Sequence, residues 1–312
     1  MMHGYNRSPL DNAVAFFKSN SPLAKLILIN VAVFIVVNII NLFLWLFEVD
    51  GQSKITGISK VTEWLSVPSD VGQLFMRPWT PFTYMFLQEG FFHILFNMII
   101  LYFGGRIFVE YLADKKLVKT YLFGGLVGAA FFILAFNIFP VFSDALPHAL
   151  ALGSSASVLA VLIAISTFVP DYSVMLIFLG RVKLKYIAIF FVVIDIFSIQ
   201  QGNAGGHIAH LGGALWGFLY ATNLKRGKDL GGFFDRIKWP EFSSAGKKKK
   251  RRKHQFEDIH VNSRPMTDEE YNARKQARQK QIDKILDKIS RSGYESLTKE
   301  EKEILFRNSS ND

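Results

Sequence analysis

A serine and a histidine are the residues of this sequence whose chemistry most directly suggests covalent catalysis. Ser155 lies in the motif Gly153-Ser154-Ser155-Ala156, and His210 lies in a later apolar segment. A serine hydroxyl becomes an effective nucleophile when a neighbouring base removes its proton. Ser155 is therefore the candidate nucleophile of an acyl-transfer reaction, and His210 is the candidate base.

A second pair of polar residues could stabilise the negative charge that this reaction develops. His93 and Asn97 are four residues apart, so on a helix they share one face. Acyl transfer requires preorganised hydrogen-bond donors around the developing oxyanion. His93 and Asn97, together with the backbone N–H of Ser155, are the candidate oxyanion hole.

Structural and metal-binding interpretations of the same residue types stay open at this point. Serine in a helix often hydrogen-bonds to its own backbone, and an amide such as that of Asn97 can join two helices. His207 and His210 could ligate a metal, but two ligands are fewer than a zinc site uses. Asp195 has no obvious catalytic neighbour in the sequence and is interpreted as a structural hydrogen-bonding residue. We expect no metal and no cofactor.

The elements that carry these residues are predicted to be transmembrane helices. Half of the 312 residues are hydrophobic, and four stretches have no Asp, Glu, Lys or Arg: 26–47, 120–143, 145–170 and 196–224. A bilayer core requires about 20 apolar residues in a helix. The predicted fold class is an all-α integral membrane protein with a bundle of six transmembrane helices. Their approximate positions are 25–47, 91–112, 117–139, 153–169, 185–200 and 205–223.

Basic residues orient the predicted bundle. Lys or Arg residues precede the first span and occur in the segments that follow spans two, four and six, whereas the loops after spans three and five contain neither. Short basic loops stay in the cytoplasm, so both termini are predicted to be cytoplasmic. Spans two, four and six then run inward from the outer surface. This orientation places His93, Ser155 and His210 at similar depth, about 5–10 Å below that surface.

Composition also divides the chain into regions. We predict a cytoplasmic N-terminus over residues 1–24, a membrane domain over 25–224, a flexible basic linker over 225–266 and a soluble helical tail over 267–312. Inside the membrane domain, the first outer loop at 48–90 is rich in aromatic residues, which favours a position in the membrane interface.

Two further patterns lie beyond the membrane domain. Residues 247–253 read KKKKRRK, which suits attraction to anionic lipid on the cytoplasmic leaflet. No nucleic-acid motif accompanies this run, so we expect lipid and not nucleic acid as its partner. Thr298 and Glu301 have the spacing of a capping box, which predicts the start of a short helix in the tail.

Three motifs of the sequence resemble those of the rhomboid family of intramembrane serine proteases. His93-Ile94-Leu95-Phe96-Asn97 corresponds to the HxxxN motif of the family, and Gly153-Ser154-Ser155-Ala156 corresponds to its GxSx motif. Ala209-His210-Leu211-Gly212-Gly213, followed by Gly217, corresponds to the AHxxG…G stretch. The motifs occur in the order of the family, and the resemblance covers about residues 25–224.

The resemblance implies roles for individual residues. In the family the catalytic base is followed by glycine three and seven residues later, as His210 is by Gly213 and Gly217. His207 then becomes an outer neighbour of the base, and Gly153, Gly213 and Gly217 become supporting residues. The family uses a Ser–His dyad without an acid.

The same resemblance implies a substrate and a location. Rhomboid proteases cleave transmembrane helices of membrane-protein substrates near their outer ends. The tail resembles those of some bacterial members, especially of the Bacteroidetes type, which implies the bacterial cytoplasmic membrane. The sequence departs from the family at Trp79-Thr80, where Trp-Arg is frequent, and at Ala156, which replaces a common glycine. Neither change removes a catalytic group.

Two other functions compete with proteolysis. A non-catalytic rhomboid-like protein that binds transmembrane helices would not need Ser155 and His210 together. A transporter would need polar residues along the whole width of the bilayer, whereas here they cluster toward the outer side of the predicted spans. Proteolysis is therefore the favoured prediction.

Overall fold

The described part of the chain folds mainly into helices, with two short two-stranded sheets between them. The computed structural model describes residues 9–19, 21–47, 59–176, 180–230 and 232, and in the tail 283, 285, 287–289, 291–293, 296–298 and 301. The helices are α1 (Pro9–Lys18), α2 (Pro22–Leu46), α3 (Lys60–Leu65), α4 (Val71–Met76), α5 (Thr80–Thr83), α6 (Phe91–Tyr111), α7 (Asp114–Ile138), α8 (Ser155–Phe168), α9 (Leu184–Ser198) and α10 (Ala204–Lys225). The strands are β1 (Val67–Pro68), β2 (Leu150–Ala151), β3 (Ser173–Leu176) and β4 (Gly180–Lys183). Single 3₁₀ turns lie at Tyr84–Phe86, Pro140–Phe142 and Ile199–Gln201.

Helices occupy all six predicted transmembrane positions, but they do not all have the same character. Among the described residues, four helices are long and apolar enough to cross a membrane: α2, α6, α7, and α9 with its extension to Gln201. The other two predicted spans coincide with α8 and α10. Helix α8 has only 14 residues, and α10 contains polar residues and glycines that lower its hydropathy. The protein is thus a helical multi-pass membrane protein, and the count of six spans stays a prediction.

The short helix α8 is the centre of the bundle. Every residue from Ala156 to Ser166 is buried, so other helices surround it. Its 14 residues extend over about 21 Å at 1.5 Å per residue, whereas a bilayer core is about 30 Å thick. When the C-terminal end of α8 is at one surface, its first residue, Ser155, therefore lies within the membrane and not at the opposite surface.

Glycines on the neighbouring helices allow their backbones to touch α8. A Cβ atom built on Gly213 of α10 would lie 2.1 Å from the carbonyl oxygen of Ala156, and one on Gly217 would lie 2.3 Å from that of Ala160. On α7, a Cβ on Gly124 would lie 2.2 Å from the Cβ of Ala160. Real atoms cannot approach so closely. Glycine at these positions therefore lets α7 and α10 pack directly against the backbone of α8.

Helices α2 and α9 lie at the edge of the bundle. Only 17% of the apolar window in each is buried, and α9 exposes large side chains such as Ile189, Phe190 and Phe197. In a membrane protein such a surface faces lipid, because lipid tails are as apolar as these side chains. Helix α9 is therefore attached to the bundle chiefly through its neighbours α8 and α10.

The segment between α2 and α6 holds the chain just ahead of Ser155. Strand β1 pairs antiparallel with β2, with Val67 opposite Ala151, and the N–H of Gly153 donates to the carbonyl oxygen of Tyr84 over 3.0 Å. The all-α prediction missed these strands because two-residue strands leave no alternating pattern in the sequence. Residues 48–58 of the predicted outer loop lie outside the described residues.

The same segment exposes several large apolar side chains. They are Trp64, Phe75, Met76, Trp79 and Phe82, and Phe75 is 80% exposed. The ring planes of Trp64 and Trp79 are stacked with their centroids 5.9 Å apart, and the guanidinium of Arg77 lies 5.6 Å from the centroid of the Trp64 ring. This surface agrees with the predicted interfacial position, which stays a prediction.

At the other end of α8, a hairpin of β3 and β4 leads into α9. The carboxylate of Asp171 lies 2.9 Å from the ammonium groups of both Lys183 and Lys185. Hydrogen bonds from Lys185 and Lys183 lower the pKa of Asp171 to about 2. Under the predicted orientation this basic hairpin faces the cytoplasm.

The chain divides into two compact units, Met1–Pro240 and Glu241–Asp312. In the second unit the N–H of Thr298 donates to Glu301 Oε2 over 2.8 Å, and the N–H of Glu301 donates to Thr298 Oγ1 over 3.3 Å. These reciprocal bonds confirm the predicted capping box. The basic run at 247–253 lies outside the described residues, as does most of the predicted linker and tail helix. The domain boundaries given above stay predictions.

The contact between α10 and α8 predicts a stability difference between two glycine variants. We expect Gly213→Ala to destabilise the protein by about 1–3 kcal/mol or more, because the added methyl group overlaps the Ala156 carbonyl. Gly104→Ala is the matched control, since its Cβ would lie 3.7 Å from Leu162 Cδ1, an ordinary contact. Thermal unfolding in detergent measures both. Equal melting temperatures for the two variants would contradict the close packing described here.

Candidate active site

The side chains of Ser155 and His210 meet at the contact between α8 and α10. Ser155 is the first residue of α8, and His210 lies in the second turn of α10. The distance from Ser155 Oγ to His210 Nε2 is 2.6 Å, within hydrogen-bonding range. The His210 side chain is 23% exposed. The two residues predicted as nucleophile and base are therefore brought together, in a place that is neither fully buried nor open.

A carboxylate lies on the far side of the His210 ring. Asp195 Oδ1 is 2.8 Å from His210 Nδ1, and the same oxygen is 2.8 Å from His207 Nδ1. The Asp195 side chain is only 5% exposed. The sequence interpretation of Asp195 as a hydrogen-bonding residue holds, but its partners are the candidate base and the neighbour of that base. A catalytic neighbour for Asp195 was not foreseen.

The connection between α9 and α10 explains this proximity. Helix α9 ends in the 3₁₀ turn at Ile199–Gln201, and only Gly202 and Asn203 separate that turn from α10. Asn203 has a left-handed backbone conformation with φ 48°, and its side-chain oxygen accepts a hydrogen bond from the N–H of Gly206 over 3.2 Å. Asn203 thus caps α10. In such a tight helical hairpin, the last turn of one helix faces the first turns of the next.

This geometry also shows which sequence signal could have identified Asp195. It is the acidic residue of α9, it lies in the last turn of that helix, and two histidines occupy the first two turns of the following one. A tight turn between the two helices brings such positions together. The predicted spans at 185–200 and 205–223 did not indicate how tight the turn between them is, so this pairing was not predicted from the sequence.

His93 lies beside the candidate nucleophile. Its Nδ1 accepts a hydrogen bond from the N–H of Glu89 over 3.3 Å, which leaves the ring proton of a neutral imidazole on Nε2. A Cβ built on Gly153 would lie 3.3 Å from this Nε2 and 3.4 Å from Ser155 Oγ. The hydrogen-bond donor of His93 and the Ser155 hydroxyl therefore border one small space above the Gly153 backbone.

Gly153 is required at this point for two reasons. Its φ of 133° lies in a region that residues with a side chain rarely adopt. In addition, a Cβ would lie 3.0 Å from Cε1 of His93 and would crowd the ring. A glycine keeps the space between His93 and Ser155 open, which fits its prediction as a supporting residue.

Asn97 is buried one turn below His93, and its hydrogen bond goes to a different partner from the one expected. Its Nδ2 donates to Gln88 Oε1 over 3.0 Å, and Gln88 Nε2 donates in turn to Ser154 Oγ over 2.7 Å. Asn97 is thus connected through Gln88 to the residue just before Ser155. One of its two amide hydrogens is used in this way.

Gln88 connects Asn97 to a further network of hydrogen bonds, which was not predicted from the sequence. Asn30 Oδ1 accepts a second hydrogen bond from Gln88, and Asn30 Nδ2 donates to the hydroxyl of Tyr121 over 3.0 Å. That hydroxyl donates to the carbonyl oxygen of Met85 over 2.8 Å. Gln88 precedes the predicted span two, where a polar residue is ordinary in a loop, so nothing in the sequence indicated a role in the site.

The start of α8 offers further hydrogen-bond donors. Ser154 is the N-cap residue, but its side chain does not cap the helix, because its Oγ accepts the hydrogen bond from Gln88. The first N–H groups of a helix have no partner within the helix. The backbone N–H groups of Ser155 and Ala156 therefore lie at the N-terminus of α8, close to the Ser155 hydroxyl. They carry the partial positive charge of a helix N-terminus.

The three ionisable groups around Asp195 could also be considered as metal ligands. The donor atoms of Asp195, His207 and His210 all lie within 4.8 Å of one another. Yet the two N···O separations of 2.8 Å are those of direct hydrogen bonds. A tetrahedral zinc ion with bonds of about 2.0–2.1 Å would hold its ligand atoms about 3.3 Å apart. The geometry thus fits hydrogen bonding better than metal ligation.

Comparison with known proteins connects this site to a family. The Rhomboid domain family matches residues 76–227, a range that includes His93, Ser155, Asp195 and His210. A family of unknown function, DUF6576, matches residues 266–311.

A curated relative agrees with the first match. The chain is 29% identical over 145 residues to "RHOMBOID-like protein 12, mitochondrial" of Arabidopsis thaliana. The aligned part covers 44% of this chain and 43% of that protein, so the chain spans less than half of the length of its relative. This chain therefore contains a Rhomboid domain over residues 76–227, and the relative is similar to it in agreement with that match.

Proposed function

We propose that the protein is an intramembrane serine protease that hydrolyses peptide bonds in or near transmembrane helices of membrane-protein substrates. The observation that carries this proposal is the 2.6 Å contact between Ser155 Oγ and His210 Nε2, made by two helices of a rhomboid domain. Serine next to a histidine that can accept its proton is the arrangement that nucleophilic catalysis requires.

The proposed reaction proceeds in two halves. His210 Nε2 takes the proton of Ser155 as Oγ attacks the substrate carbonyl carbon, and the carbonyl oxygen becomes an oxyanion. His210 then donates that proton to the leaving nitrogen, which leaves an acyl group on Ser155. Water, activated by His210 in the same way, hydrolyses the ester and restores the enzyme.

His93 is the stronger of the two proposed oxyanion-hole side chains. Its Nε2–H borders the space next to Ser155 Oγ, and the backbone N–H groups at the start of α8, which have no partner within the helix, begin at the same residue. Asn97 has one amide hydrogen engaged by Gln88, so we assign it a smaller contribution. Part of that contribution consists of holding Gln88, and through it Ser154, in place.

We propose that the domain has six spans, with both termini in the cytoplasm of a bacterial cell and a soluble tail beyond residue 266. The basic loops that flank the predicted spans support this orientation. With this orientation, the short length of α8 supports a position of Ser155 below the outer surface. Substrate transmembrane helices and membrane lipids are the partners that we propose for the site.

The non-catalytic and transporter functions considered from the sequence find less support. A protein that only binds helices gains nothing from a serine hydroxyl directed at a histidine nitrogen. A transport pathway would carry polar residues along its length, whereas α8 is buried and mostly apolar from Ala156 onward. Covalent labelling of the serine distinguishes a protease from the other two functions.

The proposed pair predicts the result of two substitutions. We expect Ser155→Ala and His210→Ala each to abolish cleavage of a single-pass transmembrane substrate in detergent while leaving the protein folded. Each removes one half of the proton transfer. A fluorophosphonate probe should label Ser155 in the parent protein, with the site identified by mass spectrometry.

Ser166→Ala serves as the control for this experiment. It makes the same chemical change on the same helix, 11 residues and therefore about 16 Å from Ser155. It should keep full activity. Labelling of Ser154 or Ser157 in place of Ser155, or cleavage by Ser155→Ala, would refute the assignment.

The proposed oxyanion hole predicts an order of effects. We expect His93→Ala to lower kcat by about 100- to 1000-fold, the usual effect of losing one such donor, and Asn97→Ala to lower it by less. Phe103→Ala, a 62% exposed position on the same helix, should have no effect on turnover in detergent. Unchanged turnover in both His93→Ala and Asn97→Ala would show that neither residue stabilises the oxyanion.

The proposed orientation is testable because the chain contains no cysteine. Asp144→Cys places a thiol in the exposed loop after α7, and Lys228→Cys places one after α10. A membrane-impermeant maleimide should modify Asp144→Cys in intact cells and Lys228→Cys only after lysis. The cysteine-free parent is the control. The reverse order of labelling would overturn the orientation and the depth of the site.

A further inference from the structure

The carboxylate of Asp195 makes two hydrogen bonds through one oxygen, and both partners are histidines. His210 Nδ1 and His207 Nδ1 each lie 2.8 Å from Asp195 Oδ1. The opposite nitrogen of His210 lies 2.6 Å from Ser155 Oγ. Carboxylate, imidazole and hydroxyl therefore form one continuous chain of hydrogen bonds across α9, α10 and α8.

We propose that Asp195 is a positioning residue of the active site, so that the protease works with a Ser155–His210–Asp195 triad and not with a dyad alone. This inference rests on the proposed function. It departs from the dyad without an acid that the resemblance to the rhomboid family implied.

The donor and acceptor roles along the chain follow from the carboxylate. An ionised carboxylate accepts hydrogen bonds and cannot donate them, so the proton of the shared bond belongs to His210 Nδ1. In a neutral imidazole the other nitrogen, Nε2, is then an acceptor. Ser155 must donate its hydroxyl hydrogen to this Nε2. Asp195 thus selects the tautomer of His210 that can act as a base.

Asp195 also acts after the proton has moved. When His210 has taken the Ser155 proton, its ring carries a positive charge next to the carboxylate. Opposite charges at this distance attract, and the attraction is stronger in a site that is largely shielded from water. Because the attraction exists only once the charge has formed, it favours the transition state over the resting enzyme.

His207 accounts for the stability of a carboxylate in this position. A buried charge is unfavourable unless it is hydrogen-bonded, and the Asp195 side chain is 5% exposed inside an otherwise apolar helix. With His207 as a second donor, the carboxylate keeps a partner even while the His210 ring moves during turnover. We therefore assign His207 the role of holding Asp195, in place of the outer-neighbour role expected from the sequence.

The backbone fixes this arrangement from both sides. Asp195 lies in the last turn of α9, and a 3₁₀ turn with the Asn203 cap leads directly into α10. His210 is followed by Gly213, which is in contact with the Ala156 backbone next to Ser155. Packed helix backbones thus fix the positions of the carboxylate, the imidazole and the hydroxyl.

Replacement of Asp195 by asparagine tests the proposal. Asn has the same shape and still forms hydrogen bonds, but its amide group can donate to His210 Nδ1 and so favours the wrong tautomer. In a serine protease triad this change lowers kcat by about 10⁴-fold. We expect Asp195→Asn to lower kcat and the rate of fluorophosphonate labelling of Ser155 by about 100- to 10,000-fold, with little change in KM.

A purely structural role for Asp195 predicts a different outcome. Asparagine would preserve the packing and the hydrogen bonding, so kcat and the labelling rate would stay within a few fold of the parent values. That result would overturn the proposal. Asp171→Asn is the matched control, because it makes the same change in the exposed hairpin at the other end of α8, and it should leave turnover unchanged.

A second pair of variants covers the case in which Asp195→Asn does not fold. Asp195→Glu and Asp195→Gln have nearly equal volume and differ in charge, so the glutamate variant should label at least about tenfold faster. Equal rates in the two would overturn the proposal. Loss of parent activity in excess EDTA would identify the cluster as a metal site and would overturn it as well.

The parent protein and Ser155→Ala keep this test separate from that of the proposed function. If the parent neither cleaves substrates nor reacts with the probe, the protease proposal itself fails. If the parent cleaves, Ser155→Ala does not and Asp195→Asn retains full activity, only the triad fails.

Discussion

The contact between the backbones of α8 and α10 is the constraint on which the site depends. Gly213 and Gly217 bring α10 so close that no side chain fits between it and the carbonyl groups of Ala156 and Ala160. In lipid, helices associate through such close packing, because apolar side chains gain nothing by leaving the bilayer. The same contact fixes the distance between the first residue of α8 and the second turn of α10. The 2.6 Å distance between Ser155 Oγ and His210 Nε2 is thus a consequence of Gly213 and Gly217, which follow His210 on the same face of α10.

A second constraint is that an unpaired polar group is more unfavourable in a bilayer core than in water. Around the candidate site, the described polar side chains form two hydrogen-bonded networks. One connects Asn97, Gln88 and Ser154 with Asn30 and Tyr121; the other connects Ser155, His210, Asp195 and His207. The two networks meet at adjacent residues. The network of Gln88 holds Ser154, and the network of His210 holds Ser155.

The parts of the site that were predictable from the sequence are those with a local pattern. Each motif is visible within one short segment of the sequence. The motifs are HxxxN on one helix, GxSx at the start of another, and His210 with its glycines at fixed spacings on a third. Asp195 and Gln88 were missed because their roles depend on tertiary contacts. Asp195 became a partner of His210 only through the tight connection at Gly202 and Asn203, and Gln88 joined the site only because the segment between α2 and α6 folds back onto the loop before α8.

The fold shows the same division. The positions of the six helices that coincide with the predicted spans could be read from hydropathy and charge, since apolar composition and segment length are local properties of the sequence. The short strands β1 and β2 could not, because each has two residues and is defined by its pairing with the other. Their pairing nevertheless matters to the site, since Ala151 is two residues from Gly153 and the pairing restrains the chain on the approach to the nucleophile.

The two helices that fit the transmembrane criteria least well are those that carry the proposed catalytic pair. Helix α8, with 14 residues, is shorter than the thickness of a bilayer core, and α10 has two histidines and several glycines that lower its hydropathy. Both properties fit the proposed chemistry. A nucleophile that acts inside the membrane must still be reached by water, and a short central helix suits that requirement. The catalytic base must come from a helix whose backbone can pack closely against the start of α8. Such close packing requires glycine in place of larger apolar residues. The other helices, which are longer and more apolar, surround this pair and supply the hydrophobic surface that the pair lacks.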